Sequence, residues 1–323
     1  MDQITCKRKE KTGLWMLQSS AKTIILAMLL SGISFVSCKK DRAPAKPALG
    51  YTSPAAFYSN YKQQEQIFQV DSPGTGPIIG KMGTKLYPYA NIFMFPGGQA
   101  VAYPFTVKLV ELYPVKDVIL WNLQTIAGGK IMQYKAEISA RAFKGSQELV
   151  LRPGRKFGME TAATTNMLTG MSVFYGFGSG RSADWTNNVS SLDATINPDT
   201  LSSVTNLSAS YAMNIARMGW TSCAKLPAAT NFTGVTFTCT GNTPQNIDVF
   251  LVFNNGTTVM QCNNLTSGPL PIGTQATMVA IAYDQNNALV YDKQNITVSS
   301  GMQVQLNMVS TTDTGLLSIL SAL

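Results

Sequence analysis

The feature that most restricts how this chain can fold is an alternation of period two. Met132, Tyr134, Ala136, Ile138, Ala140 and Ala142 alternate with Gln133, Lys135, Glu137, Ser139 and Arg141. Successive side chains of an extended strand point to opposite faces, so this register buries one face and leaves the other in water. A helix would scatter both sets around its circumference. The stretch therefore reads as a half-buried antiparallel strand. Residues 103–113 repeat the pattern, with Phe105, Val107 and Leu109 in phase on one side. Glu111 shares that phase, and a buried carboxylate must find a donor or a cation. A glutamate is more often exposed, so a place at the wet rim of the sheet is the preferred reading.

The rest of the chain is punctuated like a β protein. Pro73-Gly74, Gly97-Gly98, Gly128-Gly129, Lys144-Gly145 and Pro153-Gly154 separate runs of strand length. In the second half, Met302, Val304, Leu306 and Met308 alternate with Gln303, Gln305 and Asn307. Residues 248–253 and 275–283 are continuous enough to lie deeper, and Asn286-Asn287 turns the second of these into a hairpin. Leu316, Ile319, Leu320 and Leu323 recur at helical spacing after Thr312 and Asp313, which can cap, so a short helix closes the chain. Residues 54–62 are the other helix candidate.

From Pro54 onward there are about 270 residues, more than one core usually serves. Residues 177–206 are polar and without a sustained period. The expected architecture is mainly β: two tandem antiparallel β-sandwich domains with a short C-terminal helix. Residues 54–178 form the first, 179–206 a linker, and 207–323 the second.

Ahead of them lies an address. Lys7, Arg8, Lys9, Lys11 and Lys22 precede an apolar run of about a dozen residues, then Ser31, Gly32, Ser34, Ser37 and Cys38. Such a run is too short for a hydrocarbon core of ~30 Å but suits a signal peptide. Met16 is an alternative start. The end of this stretch resembles the lipobox of bacterial lipoproteins, although Phe35 stands where most carry Leu. That resemblance implies a signal peptide over 1–37, cleavage before Cys38, and acylation of Cys38 as the mature N-terminus. Residues 38–53 then form a lipid-attached tether, basic at Lys39, Lys40, Arg42 and Lys46 and proline-rich beyond. The expected location is the cell envelope, at the outer membrane, on either its periplasmic or its surface face.

Further motifs lie in the folded part. Gly83-Thr84, Pro88, Ala90, Phe93, Gly97-Gly98, Glu111, residues 117–120, Thr125, Gly129, Ala140, Gly145 and Pro153-Gly154 resemble a domain common in Bacteroidetes envelope lipoproteins. That domain is similar to the "ZU-five" β-sandwich of ankyrins and netrin receptors. Gly219-Trp220-Thr221-Ser222-Cys223 resembles a Gly-Trp-x-Asn-Cys signature that follows it in the same lipoproteins. Some animal relatives cleave themselves at a His-Phe-Ser site. This chain has no histidine, so that activity does not carry over.

The absence of histidine also removes Ser-His-Asp and Cys-His catalysis and any histidine-ligated metal. Carboxylate chemistry stays open, since a glycosidase needs two acids about 5–9.5 Å apart. No acid motif announces one. Asp284 to Asn287 and Asp193 to Asp199 offer oxygens that Ca²⁺ accepts but lack a fixed ligand spacing, and turn chemistry explains them better. No cofactor or metal is expected. Five basic and two acidic residues fall in 1–37, so the mature chain keeps 20 and 15, too mild and dispersed a charge for nucleic acid. Cys223, Cys239 and Cys262 permit one disulfide or none. Asp199-Thr200-Leu201 fits a short O-glycosylation motif of the same bacterial group.

For ligand contact, Tyr87 and Tyr89 stand out within the cluster Tyr87, Pro88, Tyr89, Phe93, Phe95 and Pro96, for which core packing is the preferred alternative. Trp185, beside Arg181 and Asp184, either stacks on a sugar ring or wedges between the flanking domains. Two functions compete: a non-enzymatic binding or scaffolding module for a glycan or protein partner, and a carboxylate-dependent glycan hydrolase.

Overall fold

A computed structural model describes residues 52–74, 76–179, 182–196, 202–228, 231–240, 245–253 and 257–323. The expected signal peptide and tether, Cys38, Arg181 and the Asp199 motif lie outside them. The fold is mainly β, built of antiparallel sheets with a short C-terminal helix.

The first sheet runs in the order Gln66–Val70, Phe105–Leu112, Gln133–Lys144, Gly219–Lys225, Ser172–Phe177, Asp184–Thr186, with Gln147–Glu148 folding back on the third of these. The second runs Ser203–Asn206, Tyr211–Ile215, Phe157–Glu160, Lys85–Tyr87, Ile78–Ile79. Phe105, Val107, Leu109, Ala136, Ile138 and Ala140 of the first sheet share one core with Leu86, Phe157, Met159, Tyr211 and Met213 of the second. The alternation read from the sequence thus points those residues where it should, into a sandwich. A third sheet, in the order Thr258–Cys262, Gln245–Phe253, Gln275–Tyr283, Leu289–Thr297, Val309–Ser310, buries Val249, Leu251, Met278 and Ala280 with Val304 and Leu306. Asn287 turns its central hairpin at φ 58°, and the Asp284 carboxylate accepts from the Asn286 and Ala288 amides. That side chain is therefore engaged by its own turn, as the turn reading of Asp284 to Asn287 expects.

Three expectations need correction. The first concerns the boundary between the halves. Residues 179–206 are no detached linker, because Asp184–Thr186 and Ser203–Asn206 are strands of the first and second sheets. Tyr211–Ile215 and Gly219–Lys225, read as the start of the second domain, also belong to those sheets. The sheets divide after Lys225.

The second concerns the wet face of the 133–144 strand. Glu137 and Ser139 are buried there, 0% and 6% exposed. The outer face of the first sheet is covered by the helices Pro54–Tyr61, Val115–Leu120 and Asp313–Ser321 and by the third sheet. Val110, Leu112 and Phe174 share a core with Phe57, Val118, Phe250, Ile281, Leu316 and Leu320. Polar alternation marks a strand correctly but cannot reveal a second layer folding over it.

The third concerns Glu111, which lies not at a rim but in the interior, 0% exposed. Its carboxylate accepts from the Thr84 and Met82 amides, at 2.9 and 3.1 Å, and from the Gln66 side chain at 2.7 Å. Gly80 permits this approach, since a Cβ there would fall 2.4 Å from a carboxylate oxygen. Two backbone amides of a turn and one carboxamide thus supply the hydrogen bonds that a buried carboxylate requires.

The helix Asp313–Ser321 is capped as the sequence implies. The Thr312 hydroxyl accepts from the Gly315 amide, and Leu316 and Leu320 are buried. Among the described residues no helix is long and apolar enough to cross a membrane.

Candidate functional site

Two surfaces offer ligand chemistry. The first is the outer face of the second sheet. Strand alternation turns Leu86, Met159 and Met213 inward and leaves Lys85, Tyr87, Gly158, Glu160 and Asn214 on the opposite side. Register places Gly158 opposite both Tyr87 and Asn214. A Cβ at Gly158 would stand at ordinary contact distance, 3.7 Å from Tyr87 Cδ2 and 3.9 Å from Asn214 Oδ1. The Tyr87 hydroxyl reaches Glu160 Oε2 at 3.4 Å, Lys85 Nζ lies 3.2 Å from both carboxylate oxygens, and the Ser210 hydroxyl donates to Oε1 at 2.7 Å. The Ser210 hydrogen bond, seconded by the Lys85 ammonium, holds the Glu160 carboxyl below its ordinary value. Beyond Glu160 a groove of about 580 Å³ opens, with Ile79 and Leu207 exposed along it. Tyr89 is 48% exposed just past the end of the Lys85–Tyr87 strand.

The aromatic cluster expected from the sequence is thereby divided. Tyr87 and Tyr89 reach the surface, whereas Phe93 is fully buried, edge-on to Phe105. Glu160, Lys85 and Asn214 complete this face and were not singled out from the sequence. Their in-phase spacing along short strands was the signal available.

The second surface is a cavity of about 260 Å³ where the first and third sheets meet. Trp185 stands behind its wall, and here the stacking role considered for it fails. The ring is 2% exposed, and its indole N–H donates to the Gln124 carbonyl at 2.6 Å. Trp185 and Trp220 close on Gly176 from two sides; a Cβ at that glycine would lie 3.2 Å from the Trp185 ring and 2.9 Å from Trp220 Cβ. Trp185 is a packing residue of the interior, beside Gly176 and Gln124. The wall itself is made by its neighbours. Asp184 Oδ1 accepts from the Gly128 and Trp185 amides, and the Gln124 side chain donates to the Ala183 carbonyl.

Gln124 and Gln261 lie 137 residues apart and meet because residues 124–125 run alongside the Thr258–Cys262 strand. The Thr125 amide donates to the Val259 carbonyl, and the Val259 amide donates to the Thr125 hydroxyl, both at 2.7 Å. No local pattern in the sequence marks such a pair.

No family model matches this chain. Nor does any curated protein. Among solved structures, it is similar to the gamma-CGTase of an alkalophilic Bacillus clarkii, at 12% identity and a TM-score of 0.18. That alignment covers 70% of this chain and 41% of the other, and at so low a TM-score it carries no argument.

The thiols offer little chemistry. Cys223, Cys239 and Cys262 are all free, and burial pushes Cys223 and Cys262 up to about 12. Both remain protonated at neutral pH and behave as small hydrophobes. Among the described residues no group of three His, Cys, Asp or Glu is placed to hold a metal ion.

Proposed function

We propose that this protein is a lipid-anchored component of the cell envelope, held at the outer membrane through Cys38, and that it acts as a non-enzymatic binding or scaffolding module for a glycan or protein partner. One observation carries the choice against a carboxylate-dependent hydrolase: the acids whose environment suits proton transfer are not the acids at the cavities. A glycosidase needs one carboxyl held protonated beside a second that stays ionised. Burial raises Glu137 and Asp117, but they are 0% and 7% exposed and line neither cavity. At the sheet-face groove the acid is Glu160, shifted in the opposite direction and paired with Lys85. What the surfaces supply instead is Tyr87 and Tyr89, carboxamides and hydroxyls. Those groups suit recognition.

The binding role is tested with a glycan array and a pull-down from envelope extracts. Retention of one partner, weakened about tenfold or more in a Tyr87→Ala, Tyr89→Ala double variant, is the expected result; turnover of a polysaccharide that is abolished by replacing one or two acids would reverse the choice. The anchor is tested separately. Mass spectrometry is expected to find a mature N-terminus at Cys38 carrying diacylglyceryl and amide-linked chains, enough acyl chains for stable attachment where one alone is marginal. An unmodified chain beginning elsewhere would refute it.

A further inference from the structure

The Gln66–Val70 strand closes one edge of the first sheet, and among the described residues no strand pairs with its far side. A sheet edge presents unpaired backbone donors and acceptors, and proteins ordinarily blunt it with a charge, a proline, a bulge, shortness or a cover. The other sheet edges follow that rule. Ile78–Ile79 and Val309–Ser310 span two residues each, and Asp184–Thr186 spans three and carries a charge. Ser203–Asn206 has four residues, of which the exposed ones are polar, and Thr258–Cys262 is buried and covered by Thr125. Gln66–Val70 has none of these devices. It runs for five residues, Gln-Ile-Phe-Gln-Val, without charge, proline or glycine, and pairs with Phe105–Leu112 without a bulge.

Its two faces differ. Phe68 and Val70 pack into the sandwich core, whereas Ile67 and Gln69 lie on the outer face, in register with Lys108 and Thr106. Ile67 is 68% exposed, more than any other large apolar side chain among the described residues. Beside it Glu65 is held by Lys108 and Arg141, at 3.4 and 3.6 Å. Gln69 Oε1 accepts from the Thr106 hydroxyl at 3.2 Å, which engages the oxygen and leaves the Gln69 side-chain nitrogen as a donor.

A second copy of the same edge complements this pattern. Antiparallel pairing about a two-fold axis sets residues of like face opposite each other, so the residue on the axis defines the register. With Ile67 on the axis, Ile67 meets its own copy, and Gln69 of each chain lies opposite Glu65 of the other, donor to carboxylate. With Phe68 there, Glu65 would face the exposed Asp71, acid against acid. With Gln66 or Gln69 there, Ile67 would face Glu65 or Asp71. Of these four registers, the first alone buries the exposed isoleucine against an apolar partner and opposes no like charges.

We propose that this chain self-associates through the edge, two Gln66–Val70 strands pairing antiparallel about Ile67 so that the two first sheets become one continuous sheet. This goes beyond the binding-module reading and does not depend on which partner the Tyr87 face takes.

Sedimentation velocity of the full-length protein in detergent, with micelles in excess of chains, is expected to show a monomer–dimer equilibrium over micromolar concentrations. Ile67→Lys sets two ammonium groups opposite each other and should weaken the dimer about tenfold or more. Circular dichroism and melting temperature should match the parent's, because the side chain is exposed. Ile67→Cys tests the register. The two introduced thiols would stand on Cβ atoms about 4.5–5.5 Å apart, close enough to bridge with a small adjustment, and diamide should oxidise them to a covalent dimer while itself being reduced to the hydrazine. Gln69→Cys should stay uncrosslinked, since its two copies lie more than about 12 Å apart in this register. The parent, which keeps Cys223, Cys239 and Cys262, is the blank. A monomer at every concentration, a dimer that Ile67→Lys leaves intact, or cross-linking at position 69 but not at 67 overturns the proposal. So does a monomer that captures an extended segment of another protein at this edge, in a pull-down lost with Ile67→Lys.

Discussion

Trp185→Ala is expected to destabilise the protein by about 3–5 kcal/mol, the usual cost of emptying a buried tryptophan site. Domains are typically stable by about 5–15 kcal/mol, so that loss is a large share of the total. The argument lies in what surrounds the ring. Trp185 fills space between the Ser172–Phe177 strand, where Gly176 makes room for it, and the segment at Gln124, to which its indole N–H is bonded. Removing it opens a cavity and leaves the Gln124 carbonyl short of a donor. Urea denaturation should show a lowered midpoint. Trp185→Phe, which restores part of the volume but not the N–H, should fall between. A Trp185→Ala variant as stable as the parent would mean that the ring does not pack as described.

The second large effect is a dependence of stability on pH, carried by Glu137. Its register partners are Ser222 on one side and Leu112 on the other, and both carboxylate oxygens are buried without a hydrogen-bond partner. Burial raises its pKa well above the ordinary value. The sign follows from proton linkage. The folded state holds a proton that the unfolded state releases, so the contribution of Glu137 is complete below the unfolded pKa and is lost as pH rises toward the raised folded value. Across that window a single retained proton gives a slope of about 1.4 kcal/mol per pH unit. Asp117 is shifted in the same direction by burial and adds to the trend. Glu137→Gln keeps the shape, cannot ionise, and should be the more stable protein at pH 8 while differing little at pH 4. Parallel stability curves for the two proteins from pH 4 to pH 8 would rule out this role.

These two residues also show where sequence reading works and where it stops. The phase of Phe105, Val107 and Leu109, and that of Val304 and Leu306, could be read directly, because alternation reports one buried face. Glu137 sits on the opposite phase of an equally clear alternation, and only the layer above it, made of residues from both ends of the described chain, decides its burial. Trp185 was legible as an isolated aromatic, but the same residue type in the same polar stretch suits a ligand platform or a wedge. The difference depends on Gly176 and Gln124, which nothing local connects to it. The fold class could be inferred from side-chain rhythm, whereas the division of the sheets could not, since rhythm does not say which strand a given strand will join.

The Gly219–Lys225 strand lies between Gln133–Lys144 and Ser172–Phe177, in the middle of a sheet otherwise drawn from earlier in the chain. Its placement bears on how the protein can be cut, grafted or inherited. A fragment ending near residue 206 would lack a central strand and leave two hydrogen-bonding edges facing each other across a gap, exposed to pairing with other chains. The first sandwich therefore cannot be expressed as a portable module or exchanged by recombination at the polar stretch that looks made for it. During synthesis on the ribosome, the first sheet has to wait until residue 225 has emerged before it can close.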